Sequence, residues 1–348
     1  MRLRRLAVIS VIGFALTAAG FVVTGFTGRA EQPELNIYTS RHYQTDQALY
    51  DGFTELTGIR VNRLEGKGDA LIERLRNEGT NSPADLLITV DAGRLWRAEQ
   101  AALFQPVHSQ VLQARIPAHL RHPEGLWFGF STRARLIYFN RNDIRPGEIA
   151  RYEDLADPRW RGKVCIRSSG NIYNQSLLGS MIAVHGEAGA EDWARGVVGN
   201  FARHPQGGDT DQIRSVAAGE CGIAVANSYY FARLLKSDKA ADREAAAMVG
   251  VVFPNQNGRG THINISGAGV LRNAPNRDAA VKFLEYLVSE DAQHYFADGS
   301  NEYPVVNGVS ADTVLQSLGA FQADSLNVSL LGENQPAALR VFDRVGWD

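Results

Sequence analysis

The sequence predicts an α/β protein built as two lobes, and three observations carry that expectation. Short β-favouring runs alternate with amphipathic helical stretches along most of the chain, the pattern of a mostly parallel sheet with helices on both faces. Two longer extended runs, near residues 127–140 and 252–268, read as crossings by which the chain leaves a first lobe, builds a second and returns. Paired crossings of this kind form a hinge that closes on a ligand. A length of 348 residues with 44% hydrophobic side chains is enough for each lobe to bury its own core.

In chain order, residues 35–38 read as the first strand and residues 39–44 as a polar loop. A helix then starts at Thr45 or Asp46, carries Leu49, Phe53 and Leu56 on one face and stops at Gly58. Strands over 59–64 and 85–90 flank a helix with Leu71, Ile72 and Leu75 inward that ends near Gly79, and Asp91 lies at the C-terminal edge of the second of them. Residues 126–140 are extended, with an interruption at Ser131-Thr132-Arg133. A strand at 163–166 and helices over 174–185, 190–200 and 210–218 follow. The run from Gly222 to Ala226 is short, apolar and bounded by Gly and Asn, so it reads as a buried strand with Ser228 opening the next helix. Residues 249–253 and 261–270 are again extended. Asn276 caps a helix whose Ala280, Phe283, Leu284 and Leu287 form a core face, and a second helix runs to Asp298.

A net charge of -2 from 36 basic and 38 acidic residues, with no basic stripe, gives no reason to expect nucleic acid as a partner. At the N-terminus Arg2, Arg4 and Arg5 precede an apolar span from Leu6 to about Val23, and Gly28-Arg29-Ala30 has the small residues a signal peptidase prefers. Residues 1–30 therefore read as a signal peptide cleaved after Ala30, so that the mature chain is exported. The span is also long enough to stay as an uncleaved anchor, and Arg4-Arg5 leaves a twin-arginine export route open. Two cysteines, Cys165 and Cys221, each beside an expected strand start, invite a disulfide in an exported protein, with two buried thiols as the alternative.

Four tyrosines share one kind of position. Tyr43 follows the strand ending at Tyr38, Tyr173 the strand ending at Ile166, and Tyr229 with Tyr230 the strand ending at Ala226, each just ahead of or at a helix start. Phenols from both lobes thus sit on edges facing one cleft, where ligands bind in open α/β sheets. Helix N-termini favour the anionic form of a nearby group, which eases phenol ionisation from its ordinary pKa of about 10. Thiolates would select zinc or copper, and carboxylate or carbonyl oxygens calcium or magnesium. Clustered phenolates, with His42 as a neutral nitrogen donor beside Tyr43, match ferric iron. Four phenolates leave the ion over-neutralised, and Arg41 or Arg133 would restore the balance from behind the ligands. The plainer reading keeps the tyrosines as core or rim residues and His42 as a surface residue. Tyr229 and Tyr230 converge only if the strand has already ended, which Asn227-Ser228 favours.

The motifs Ser40-Arg41-His42-Tyr43, Asn171-Ile172-Tyr173-Asn174 and Asn227-Ser228-Tyr229-Tyr230 resemble the periplasmic ferric-iron-binding proteins of ABC-type iron importers, of the cyanobacterial kind. The likeness extends through residues 85–91, 129–135 and 261–269. It implies a transferrin-like, type II periplasmic-binding-protein fold of two doubly wound α/β lobes joined by crossing hinge strands. Residues 31–130 and 254–308 would form the first lobe, and 131–253 and 309–348 the second. The first lobe then supplies Tyr43, with His42 as the ligand that varies within the family, and the second supplies Tyr173, Tyr229 and Tyr230. The resemblance further implies a monomeric carrier of Fe3+, with Fe2+ left open, that delivers its cargo to an ABC-type permease in the inner membrane. Family members with two tyrosines complete the metal's shell with a bound anion or carboxylate, and the additional tyrosines here weigh against that need.

Other features point less far. Gly66-Lys67-Gly68-Asp69 is a turn that suits an anion at a helix start, yet it lacks the length and the Ser/Thr of a P-loop, and Asp69 reads as a helix cap. Asp91, at the cleft edge, orients a ligand, pairs with an arginine or caps the next helix. Neither a Gly-x-Ser-x-Gly elbow nor a His-Glu-x-x-His motif occurs, so an enzyme is not expected. Two alternatives remain: a carrier of the same fold for an organic cation or an oxyanion, and a membrane-tethered iron-handling protein that keeps its N-terminal span.

Overall fold

The computed structural model describes residues 32–41 and 46–348. The expected signal peptide over 1–30 and the candidate ligands His42 and Tyr43 lie outside the described residues. Strand and helix alternate from the start through β1 (Glu34–Thr39), α1 (Asp46–Thr57), β2 (Arg60–Glu65), α2 (Gly68–Glu78), β3 (Leu86–Val90) and α3 (Ala92–Gln100). A short α4 (Gln110–Arg115) leads to the long β4 (Phe128–Asn140). Next come β5 (Val164–Cys165), α5 (Ile172–Gly199), α6 (Asp209–Ala217), β6 (Ile223–Asn227), α7 (Ser228–Leu235), α8 (Ala240–Ala247) and β7 (Val249–Val252). The chain closes with β8 (Ile263–Val270), α9 (Arg277–Leu287), α10 (Glu290–His294), β9 (Tyr303–Pro304), α11 (Thr313–Ser317), α12 (Ser329–Glu333) and α13 (Gln335–Val345).

The strands lie in the order β2-β1-β3-β8-β4-β6-β5, with β7 and β9 also paired to β4. Only β1–β2, β1–β3 and β5–β6 are parallel; every pairing made by β4 and β8 with each other or a neighbour is antiparallel. The sheet is therefore mixed rather than mostly parallel, because the two crossing strands run against the strands they join. The expected break at Ser131-Thr132-Arg133 does not occur. These residues pair with β8 across a register shift between Gly129 and Ser131, a bulge that absorbs the irregularity without ending the strand.

β4 changes partners half-way along. Residues 128–134 pair with β8, and two of them with β9, whereas residues 135–140 lie between β6 and β7. All of its residues are buried, so side chains on both of its faces must find apolar or bonded partners. Alternation then sorts them. Ile137, Phe139, Ile223 and Val225 join a core with Leu178, Met181, Trp193 and Phe342. Leu136, Tyr138, Ala224 and Ala226 join a larger core that continues onto β1, β3 and β8 with Phe53, Phe128 and Phe283. The cores thus divide by the faces of β4 and β6, not one to each expected lobe.

Smaller departures have local causes. The two helices expected over 174–185 and 190–200 are both present within α5, the first beginning earlier at Ile172, and the non-helical Gly186, whose φ of +71° suits glycine, separates them. Lys67, not Asp69, takes the cap position of α2; Asp69 sits in the first turn and pairs with Arg94 and Arg97 of α3. Asn276 occupies the cap position of α9 without a side-chain cap bond. Among the described residues no helix is long and apolar enough to cross a membrane.

Cys165 and Cys221 form a disulfide with Cα atoms 5.8 Å apart, beside the register pair Cys165 and Ala224 of β5 and β6. The closed loop spans 56 residues, and restricting the unfolded chain over that length stabilises the fold by about 4 kcal/mol on the chain-entropy argument. A Cys165→Ser/Cys221→Ser variant is expected to lose about 2–4 kcal/mol in a denaturant titration, with an unchanged native circular dichroism spectrum.

Candidate metal centre

β6 ends at Asn227, and the chain turns there into α7. Tyr229 and Tyr230 are therefore in the first turn of a helix, not on opposite faces of a strand, and their ring centroids lie 4.2 Å apart. Tyr229 is buried and Tyr230 partly exposed. Tyr173 sits at the same kind of place. Its helix starts earlier than expected, at Ile172, because the Asn171 side chain accepts the backbone N–H of Asn174 at 3.3 Å and caps the first turn. The Tyr173 and Tyr229 hydroxyls approach to 3.2 Å. Of the five candidate ligands the structure brings Tyr173, Tyr229 and Tyr230 together, while His42 and Tyr43 fall outside its described residues.

Three arginines surround these rings. The guanidinium carbons of Arg135 and Arg167 each lie 5.9 Å from the centre of the Tyr173 ring. That of Arg233 lies 5.0 Å from Tyr229 and 5.9 Å from Tyr230. At these distances a cation is attracted by the ring face. Even so, burial together with the neighbouring Tyr230 pushes the Tyr173 phenol up to about 12, against the pull of Arg133 and of the Tyr229 hydrogen bond. The expected easing of ionisation by a helix N-terminus is thus outweighed at Tyr173.

The residues expected behind the ligands occupy different positions. Arg133 is buried on β4, donates to the Ile265 carbonyl at 2.7 Å, to the Ser266 hydroxyl and to Glu302 Oε1 at 3.0 Å, and still lowers the Tyr173 pKa electrostatically. Arg41 grips Asp46 through Nε at 3.1 Å and Nη2 at 2.9 Å, and reaches Glu302 through Nη1 at 3.0 Å. Arg41 and Asp46, the residues bordering 42–45, are thereby bonded to each other, and Arg41 also to Glu302, the neighbour of β9. Asp91 caps α3 by accepting the Gly93 N–H at 2.9 Å, and also accepts from Ser176 of α5 at 2.6 Å and Asn264 of β8 at 2.9 Å. Its φ of +81° is strained for a non-glycine residue, and burial raises its carboxyl pKa.

Sequence reasoning missed Glu302, Asp209, Arg135 and Arg167. Glu302 is fully buried; burial would raise its pKa, but Arg133, Arg41 and Ser131 hold it down to about 2. Asp209 is likewise buried and is shared by Arg135 at 3.0 Å and Arg167 at 2.7 Å. One signal was present in the sequence: Arg133 and Arg135 alternate within an apolar strand, and buried guanidiniums require acidic partners. Glu302 and Asp209 have no local pattern that marks them as those partners. Among the described residues no group of three or more His, Cys, Asp or Glu is arranged to hold a metal.

A mixed sheet held by crossing strands, with clustered phenols at the ends of strands β5 and β6, defines a binding protein of the periplasmic solute-binding fold. The chain belongs to the family of bacterial extracellular solute-binding proteins, which it matches over residues 81–318. The iron uptake protein A2 of Synechocystis sp. is 56% identical over 339 residues, 96% of each chain. The solved Trichodesmium protein IdiA (FutA), in complex with iron and citrate, is 59% identical, with a TM-score of 0.89 over 90% of this chain and all of that one. The ferric binding protein from Campylobacter jejuni is 42% identical, with a TM-score of 0.85 over 90% of this chain and all of that one.

The depressed pKa of Glu302 sets the sign of a pH effect. Its ion pairs contribute full stability above the ordinary glutamate pKa, and that contribution is lost as pH falls through about 2. Thermal melts between pH 5 and 2 are expected to show a shallower acid limb in Glu302→Gln than in the unsubstituted protein; parallel limbs would contradict this assignment.

Proposed function

We propose that this chain is a periplasmic carrier that captures ferric iron through tyrosine phenolates and delivers it to an ABC-type permease. The observation that carries the reading is the meeting of Tyr173, Tyr229 and Tyr230 at one place, with a 3.2 Å hydroxyl contact and 4.2 Å between two of the rings. Hard anionic oxygens suit a trivalent cation, and three guanidiniums beside the rings offset the charge of ionised phenols. The names of the Synechocystis, Trichodesmium and Campylobacter relatives, all iron proteins, agree with it.

In this reading residues 31–130 with 254–308 form one lobe and 131–253 with 309–348 the other; the partner change within β4 falls four residues past that boundary, between Ala134 and Arg135. Tyr43, with His42, completes the shell from the first lobe. Export follows cleavage after Ala30, and the carrier acts as a monomer. Arg41, Arg133 and Asp91 serve from behind, through their bonds to Glu302, Ser266 and Ser176.

Titration of the purified protein with ferric citrate is expected to produce a visible phenolate-to-iron band and to release protons, because the raised Tyr173 phenol is neutral at pH 7 before the metal displaces its proton. Affinity therefore falls as pH falls. A Tyr229→Phe/Tyr230→Phe variant should lose more than the roughly 10- to 100-fold that an outer partner is worth. Unchanged iron affinity in that variant would instead favour an organic cation or an oxyanion as the solute.

A further inference from the structure

Asp209 opens α6 and is fully buried, so both of its carboxylate oxygens need donors from the protein. Three donors meet them: Arg135 Nη1 at 3.0 Å, Arg167 Nη1 at 2.7 Å and the backbone N–H of Asn227 at 3.0 Å. Each donor leads to a different part of the phenol cluster. Arg135 also donates through Nη2 to the side chain of Asn174 at 2.6 Å, one residue past Tyr173. Arg167 lies over the Tyr173 ring. Asn227 is the cap position of α7, two residues ahead of Tyr229, and stands opposite Arg135 in the β4–β6 register. One carboxylate thus ties the start of α5, the crossing strand β4 and the β6–α7 turn, three segments far apart in sequence.

We infer that Asp209 is a positioning residue for the metal centre, setting the spacing of Tyr173 from Tyr229 and Tyr230 and holding Arg135 and Arg167 beside them. The inference rests on the reading of these tyrosines as iron ligands. Charge and geometry predict opposite results when the carboxylate is removed. The negative charge of Asp209 disfavours a phenolate at Tyr173, so on charge alone its loss would tighten iron binding. On geometry, its loss frees the two helix starts from each other and weakens binding. Outer partners that orient ligands are typically worth about 10- to 100-fold in metal affinity, and that is the loss expected here.

The test is Asp209→Asn in the full-length exported protein, with ferric ion supplied as citrate. Expected are an affinity loss of about 10- to 100-fold, faster release to a chelator, and a shifted phenolate-to-iron band in the folded, loaded protein, which reduced stability alone would not move. Removing the carboxylate leaves the buried Arg135 and the part-buried Arg167 without their acid, so the charge-balanced variant Asp209→Asn/Arg167→Gln is the companion should the single variant not fold, and the same three changes are expected of it. Affinity equal to or tighter than the unsubstituted protein, with an unmoved band, overturns the inference. Tyr173→Phe and Tyr229→Phe variants run alongside separate the two levels. If they keep full iron affinity, the iron-ligand reading fails and Asp209 has nothing to position; if they lose it while Asp209→Asn does not, the positioning role alone is lost.

Discussion

Two buried carboxylates, each shared by two arginines, are the constraint on which the arrangement of the site depends. Glu302 holds Arg41 and Arg133, and Asp209 holds Arg135 and Arg167. Burying so many charges is costly, and pairs of this kind often add little net stability compared with apolar packing. Their value lies elsewhere. A guanidinium offers donors in a fixed planar fork, so a carboxylate that engages two of them fixes directions as well as distances. Here those directions join the crossing strand to the two helix starts that carry phenols, and to the residues on either side of the His42–Tyr43 segment.

Much of this was legible in the chain because it is written locally. The turn from β6 into α7 follows from an apolar run closed by Asn227-Ser228, and the structure starts the helix at Ser228 as expected. The common placement of Tyr173, Tyr229 and Tyr230 at helix starts follows from the same kind of pattern. What stayed hidden is set by long-range pairing. Strand direction is not encoded in alternation, so the antiparallel entry of β4 and β8 was not readable. Ser131, Thr132 and Arg133 look like a loop because they are polar, yet Ser131 and Arg133 have a buried acid to bind, 171 and 169 residues away. Asp209 looks like an ordinary residue at a helix start, and its arginine partners lie 74 and 42 residues before it.

The balance of forces at Tyr173 illustrates why a motif alone does not fix reactivity. A helix N-terminus and nearby cations favour the ionised phenol, but removal from water opposes it and prevails. In the proposed reading of Tyr173 as an iron ligand, a bound multivalent cation would reverse that outcome by supplying the charge directly.

The partner exchange within β4 also divides its two arginines. Arg133 and Arg135 are two residues apart on one face of that strand, yet Arg133 belongs to the β8 side through Glu302 and Arg135 to the β6 side through Asp209. The two guanidiniums are therefore neutralised separately, one on each side of the exchange, so loss of either carboxylate removes the ion pair of one and leaves its neighbour's in place.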